Sequence, residues 1–239
     1  MKNFLYLSCL LLLLLPAPAC QAQEELTYKI LDPRSNKSQP APVLFLLHGW
    51  GSDENDLLDL SSSLPSGLVI ISVRGPYRHQ GGGYMWYDLQ FGNGVFKEGL
   101  SQAAESSRRL SAFIPKMIAK YHLDSRKVFI GGFSQGGIMS LRLGLSVPFP
   151  ARGLICLSGR FPPDLDLSKV PAVVKSKVRV FASHGHRDQV IPIADGRQVV
   201  QKLKAGGIAV HAKEYNMAHQ ISPEVLQDLK SWLLLYMNQ

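Results

Sequence analysis

Short apolar runs on consecutive residues alternate with stretches of helical spacing from residue 26 to residue 236, and that alternation confines the chain to few architectures. Strand-like runs fall at Leu26–Leu31, Val43–Leu47, Leu68–Val73, Lys127–Ile130, Gly153–Leu157, Val178–Ser183 and Ile208–Tyr215. Several lack polar alternation, as strands covered on both faces should. Helical patterns are expected between them at Glu54–Ser62, Leu100–Tyr121, Gly136–Leu145 and Ala194–Leu203, with a last helix at Pro223–Tyr236. Ser222 is placed to cap that last helix, Pro223 suits its first turn, and Val225, Leu229, Trp232 and Leu233 share one stripe. Pro115 is expected to kink or break the longest helix. Strand and helix repeated in this order predict an α/β fold, a mostly parallel central sheet with helices on both faces. At 239 residues, 46% hydrophobic and 18% charged, the chain suits one such domain, and no internal repeat or linker divides it.

The first residues read as an export leader. Lys2 precedes the apolar run Phe4–Leu15, and Pro16-Ala17-Pro18-Ala19-Cys20 follows. As a helix that run spans about 18 Å, short of a ~30 Å hydrocarbon core, so it is not expected to remain as a membrane span. Small residues directly before a cysteine are similar to a lipoprotein processing site. Residues 1–19 are therefore expected to be removed and Cys20 lipidated, which implies membrane association in the cell envelope, with plain secretion as the alternative. Cys156 is then left alone, so no internal disulfide is possible, and its apolar neighbours predict a buried, inert thiol. The formal net charge of +8 is thinly spread and no aromatic residues interleave with it, so no nucleic-acid partner is expected.

The strongest chemical signal is Gly132-Phe133-Ser134-Gln135-Gly136, between a strand and a helical pattern. This is the G-x-S-x-G elbow, whose glycines allow a strained turn that presents a serine hydroxyl. A serine is a poor nucleophile unaided and needs a base and an orienting acid. In an α/β-hydrolase these follow in the order acid, then histidine, on late loops. The loop after Val178–Ser183 carries Asp188, and the loop after Ile208–Tyr215 carries His219. Ser134, His219 and Asp188 are the expected nucleophile, base and acid. Asp164 and Asp166 are competing acids on an earlier loop. His184 and His186 flank the acid loop and are read as its hydrogen-bonding support. Their spacing lacks a third partner, and His79, His122 and His211 show no metal-type spacing, so no zinc site is expected. Two backbone donors for an oxyanion are expected from Trp50, in the turn His48-Gly49-Trp50-Gly51, and from Gln135.

These motifs carry a resemblance. Leu46-Leu47-His48-Gly49-Trp50-Gly51-Ser52, Met85-Trp86-Tyr87-Asp88, Gly131-Gly132-Phe133-Ser134-Gln135-Gly136-Gly137, His184-Gly185 with Asp188-x-x-Ile191-Pro192, and His219 occur in this order. Together they resemble the phospholipase/carboxylesterase family of small serine hydrolases, relatives of the acyl-protein thioesterases, from Val43 to the C-terminus. The resemblance implies the same triad and no cofactor. Two departures separate the chain from the thioesterase members: Ser52-Asp53-Glu54-Asn55-Asp56 where those often continue Asp-Thr-Gly, and the exported N-terminus.

The segment Gly75–Gly99 holds seven of the 21 glycines together with several aromatic residues. It is expected to be a flexible loop that shapes the substrate site through Tyr84, Tyr87 and Phe91, with Trp86 in a satellite core. The domain plan is a leader at 1–19, a tether and first strand at 20–40, and a catalytic domain at 41–239. The expected function is a carboxylesterase acting on short to medium acyl esters, small or lipid-like. The alternatives are a feruloyl or acetyl-xylan type esterase, an acyl thioesterase or lysophospholipase, and a non-catalytic binding lipoprotein. The sequence leaves the oligomeric state open.

Overall fold

The computed structural model describes residues 25–92, 95–146 and 151–238, apart from the side chains of 91, 92, 95 and 96. Residues 1–24, with the expected leader and Cys20, lie outside the described residues. Seven strands form the main sheet: β1 (Tyr28–Leu31), β2 (Ala41–Leu47), β3 (Val69–Val73), β4 (Leu123–Phe133), β5 (Gly153–Leu157), β6 (Arg179–Gly185) and β7 (Ala209–Tyr215). Their spatial order is β1-β3-β2-β4-β5-β6-β7. Only β1, at one edge, runs antiparallel, against β3; every other pair is parallel. Five helices are α1 (Leu100–Lys120), α2 (Gln135–Ser146), α3 (Ala172–Lys177), α4 (Ile193–Ala205) and α5 (Pro223–Met237).

Alternate residues of each strand serve opposite faces. Val43, Phe45 and Leu47 of β2 join Ile114 of α1, Met139 of α2 and Leu203 of α4 in one core, whereas Leu44 and Leu46 join Leu229 and Trp232 of α5 in the other. The consecutive apolar residues read in the sequence are thus both faces of one strand. The chain steps from β2 outward to β3 and returns to β4 on the other side of β2. That reversal opens a crevice beyond the carboxyl ends of β2 and β4, where open α/β sheets bind ligands.

Several local expectations change. Residues 54–62 do not form an α-helix; the structure has turns and a 3-10 helix at Leu58–Ser63. Asp53 Oδ1 accepts the Asn55 backbone N–H at 2.8 Å in a tight local turn, and the Ser61-Ser62-Ser63 run adds little helical preference to extend it. Pro115 does not break α1, which continues to Lys120. Pro115 is exposed, so the Ser111 carbonyl that loses its donor lies on the solvent side. The strand expected at Lys127–Ile130 extends over all of β4. Ser222 occupies the N-cap of α5 with extended backbone, but its side chain makes no capping hydrogen bond.

Residues 75–99 are organised rather than loose. Tyr77–Arg78 pairs with Tyr84–Met85, and Leu89–Gly92 with Val95–Glu98, as two antiparallel hairpins. Gly82 and Gly83, both at positive φ, turn the chain between the strands of the first hairpin.

Candidate active site

Ser134 joins β4 to α2 with φ +53°, the left-handed region that costs a non-glycine residue strain. Its N–H donates to the Leu157 carbonyl at 2.8 Å and its carbonyl accepts from Ile138 at 3.1 Å, so both sides of the turn are pinned. Glycine at 132 and 136 is obligatory, because a Cβ at either position would land on the Leu47 carbonyl of β2. The elbow therefore exists because two positions carry no side chain where α2 crosses the sheet.

Asp188 lies on the loop after β6, its side chain fully buried. Its Oδ1 accepts the backbone N–H groups of Val190 (2.9 Å) and Ile191 (2.8 Å), and its Oδ2 accepts from His219 Nδ1 at 2.7 Å. Three donors thus fix the carboxylate, with the Nδ1 proton of His219 facing the acid. His219 lies on the loop after β7. Arg187 N–H donates to the Met217 carbonyl at 3.0 Å and His186 N–H to the Tyr215 carbonyl at 2.8 Å, stitching the acid loop to the histidine loop. The Phe133 ring packs on the His219 ring with centroids 4.7 Å apart. Ser134 and His219 open on one cavity of about 310 Å³, with Phe133, Ile138, Val190 and Ile191 among its apolar walls.

Gly49, Trp50 and Gln135 line the same cavity. Gln135 is the first residue of α2, where backbone N–H groups have no partner within the helix. The Trp50 indole is 43% exposed at the rim, edge-on to His79 at 4.1 Å.

Sequence reasoning missed two polar anchors beneath this loop. The Gln135 side chain, 1% exposed, accepts from Trp86 N–H at 2.9 Å and donates to the Tyr87 carbonyl at 2.8 Å. The His48 ring, fully buried, hydrogen-bonds the Gly49 carbonyl through Nδ1 (2.7 Å) and accepts Gly75 N–H through Nε2 (2.9 Å). That pattern requires the neutral Nδ1–H tautomer, and burial pulls the ring's pKa below the ordinary histidine value, the Gly49 carbonyl opposing the shift. Trp86, buried as expected, donates from its indole to the His48 carbonyl at 3.0 Å. Each residue stands beside a recognised motif, yet the partners that tie it to the 75–87 segment lie 27 to 49 residues away, which local reading does not reach.

The other candidates separate cleanly. Asp164 forms an ion pair with Arg142, and Asp166 accepts the Ser168 N–H at the start of a short 3-10 turn. His184 supports the acid loop: its Nε2 hydrogen-bonds the Ile191 carbonyl at 2.7 Å and lies 3.4 Å from Asp188 Oδ2. The His186 side chain does not, although its backbone N–H does; its ring is half exposed and faces Glu214 at 3.6 Å. Tyr87 is fully buried in the core, with its hydroxyl toward Glu98 at 3.4 Å, so it cannot touch substrate as expected. Tyr84 faces away from the cavity, its ring under the Arg74 guanidinium at 4.4 Å and its hydroxyl accepting from Arg74 at 3.1 Å. Tyr84 is paired with Arg78 in the first hairpin, and Tyr87 follows that hairpin with its carbonyl held by the Gln135 side chain. Phe91 sits on the second hairpin, and its side chain lies outside the described part of the structure. Leu89, from the same hairpin, does reach the cavity. Cys156 is buried, and desolvation pushes its thiol up to about 12, the behaviour of an inert thiol. Among the described residues, no group of three or more His, Cys, Asp or Glu could hold a metal ion.

Comparison with known proteins agrees with this architecture. Residues 31–237 match the family model for phospholipase/carboxylesterase. Acyl-protein thioesterase 1 of Mycosarcoma maydis is 27% identical over 228 residues, covering 85% of this chain and 94% of its own. Carboxylesterase SOBER1 of Arabidopsis thaliana is 31% identical over 135 residues, 56% of this chain and 58% of its own. Among solved structures, esterase PE8 aligns with a TM-score of 0.73 at 25% identity over 89% of this chain and all of its own. A Bacillus cereus carboxylesterase aligns with a TM-score of 0.77 at 21% identity over 90% of this chain and 97% of its own. With the elbow, its crevice and the family match in register over nearly the whole described chain, this protein belongs to the phospholipase/carboxylesterase family of ester hydrolases.

Proposed function

We propose that the crevice is the catalytic site of a serine carboxylesterase that cleaves short to medium acyl esters through Ser134, His219 and Asp188. The observation that carries the reading is the 2.7 Å hydrogen bond from His219 Nδ1 to a buried Asp188, in a cavity that His219 shares with Ser134. In the reaction, Ser134 Oγ attacks the ester carbonyl carbon while His219 Nε2 takes its proton. The carbonyl oxygen becomes an oxyanion, met by the N–H groups of Trp50 and Gln135, each contributing about 3 kcal/mol to the transition state. Collapse breaks the bond to the leaving oxygen, which receives the proton from His219, and an acyl-Ser134 remains. Water, deprotonated by His219, repeats the sequence and releases the acid. Asp188 keeps its charge throughout and stabilises the imidazolium.

A thioester substrate is the second reading, favoured by the relatives named acyl-protein thioesterase 1. The apolar walls accept an acyl chain of either class. A serine-directed fluorophosphonate should label Ser134, and Ser134→Ala should abolish both labelling and turnover of p-nitrophenyl butyrate by ~10³-fold or more. Retention of turnover within tenfold in the folded variant would refute the assignment. Comparing kcat/KM for p-nitrophenyl acetate, butyrate, octanoate and palmitate with a palmitoyl-thioester peptide decides the substrate class; preference for palmitate or the thioester would overturn the short-ester reading.

The proposal places the enzyme in the cell envelope, held by a lipidated Cys20. Intact-mass analysis should show a diacylated residue 20 at the new N-terminus, since more than one chain is needed for stable anchoring. Cys20→Ser should release the protein to the soluble fraction, and an unmodified Cys20 would leave plain secretion.

A further inference from the structure

Beside the cavity, four charged side chains form an alternating row: Asp164 pairs with Arg142, Arg142 faces Glu98 Oε2 at 3.8 Å, and Glu98 Oε1 accepts from Arg160 Nη2 at 2.5 Å. The middle members are deeply buried, with side-chain exposures of 4% for Arg142 and 2% for Glu98. The ends differ. Asp164, 35% exposed, opens to the outer surface, whereas Arg160, 17% exposed, lies on the wall of the cavity that holds Ser134. The row balances two positive charges against two negative ones, and Arg160 is the member that lies on the wall of the cavity. Desolvating four charges is costly, and a row serving stability alone has no need to end at a reaction cavity.

The sheet order gives this end a direction. Arg160 follows β5 and Asp56 follows β2, the two strands that flank β4, and Ser134 stands at the tip of β4. Ser134 is tied to the β5 side by its bond to the Leu157 carbonyl. One charge therefore falls on each flank of the nucleophile: the anchored guanidinium of Arg160, and the carboxylate of Asp56 on the rim. Leu89, Phe133, Ile138, Val190 and Ile191 give the same cavity apolar walls.

Resting on the serine-esterase reading, we propose that the enzyme's substrates are esters that also carry a carboxylate, and that Arg160 is the specificity-determining residue that receives it. The carboxylate becomes the fifth charge of the alternating row. A guanidinium already fixed by Glu98 loses little freedom on binding and presents a planar fork to it. Asp56 on the opposite flank repels the same group, so the ester is seated in one direction across Ser134. Glu98 is a positioning residue, acting through Arg160.

The test is a comparison within matched pairs of esters. On the acyl side, 4-nitrophenyl hydrogen glutarate is set against 4-nitrophenyl hexanoate; on the alcohol side, 4-acetoxybenzoate against 4-acetoxybenzamide. The ratio of kcat/KM, anionic over neutral, is measured for the wild type, Arg160→Gln and Arg160→Lys, with Ser134→Ala as the blank. In one pair the ratio should fall at least about tenfold in R160Q, chiefly through KM, and recover in part in R160K, which keeps a charge without the fork. The pair that responds identifies which side of the ester carries the anion. A merely structural Arg160 would depress both members alike, so a ratio unchanged within twofold in both pairs overturns the proposal. Should R160Q fail to fold, the exposed Asp56→Asn takes its place: the ratio should rise, and a flat ratio overturns the proposal equally. Hydrolysis of the neutral esters by S134A at the wild-type rate would instead refute the serine reading, and this proposal with it.

Discussion

Replacing Gln135 by alanine separates what holds the site from what reacts in it. The side chain bridges Trp86 N–H and the Tyr87 carbonyl, and both of those residues are fully buried. Truncation orphans one buried donor and one buried acceptor, each costing about 1–3 kcal/mol. Gln135 lines the catalytic cavity, so water can enter the vacated space and recover part of that loss. The lower half of the range applies, about 3 kcal/mol, or a drop in Tm of about 6–12 °C for a domain of this size. The backbone N–H of residue 135 remains at the start of α2, so turnover of p-nitrophenyl butyrate below the melting range should fall by less than about tenfold, far less than in S134A. Gln135→Glu is the sharper control: it can still accept from Trp86, but it sets a second oxygen against the Tyr87 carbonyl and should be no more stable than the alanine variant. Scanning calorimetry and initial rates measure both quantities. A Q135A Tm within 2 °C of wild type would show that the bridge contributes nothing; a folded Q135A as inactive as S134A would show that the side chain, and not the backbone donor, is what the reaction needs.

Other perturbations follow from equally specific contacts. Burial lowers the His48 pKa, so the unfolded chain takes up a proton that the folded chain refuses; this contribution to stability is complete above about pH 6.5 and is lost as pH falls, at up to about 1.4 kcal/mol per unit. Urea titrations between pH 7 and 5 should show that slope in wild type and a flatter one in His48→Gln; identical slopes would remove His48 as its source. Gly136→Ala should abolish folded protein, because the new Cβ meets backbone of β2, whereas Gly67→Ala, with nothing within 4 Å, should be neutral within about 0.5 kcal/mol; a stable G136A would contradict the packing at the elbow. His184→Ala should lower kcat/KM by ~10-fold or more by freeing the Ile191 carbonyl beside Asp188, and His184→Gln, which restores a donor, should recover part of it; equal losses in both variants would deny that the hydrogen bond matters.

The residues legible in the sequence are those whose position the sheet alone determines. In a parallel sheet every functional loop leaves the same edge, so a serine, an acid and a histidine at successive strand ends converge without further information. The proposed positions Ser134 and Asp188 follow apolar runs buried on both faces, in β4 and β6, whereas His219 follows the edge strand β7, most of whose residues are exposed, and is placed by its order after the acid loop. The Gly75–Gly99 segment offered the opposite case. Its glycines suggested freedom and its aromatic residues a binding wall, but its conformation is decided from elsewhere: by Gln135 holding the Trp86 and Tyr87 backbone, and by His48 holding Gly75. Tyr87 turns inward and Tyr84 toward Arg74 as consequences of those distant anchors.

The charged row beside the cavity shows why specificity is less legible than chemistry. Glu98 ends a hairpin, Arg142 lies inside α2, and Arg160 and Asp164 stand on the loop after β5. Nothing in their spacing sets them apart from solvated surface charges. Arg142 even falls in a helix otherwise lined by Met139, Leu141, Leu143 and Leu145, where an isolated arginine reads as the exposed face, although its side chain is 4% exposed. What places it inside is the convergence of two carboxylates from separate elements, since a guanidinium leaves water only when such partners are already in position. The proposed triad follows from where strands end, but the partners that would select its substrate follow from which loops meet, and only the folded chain brings those together.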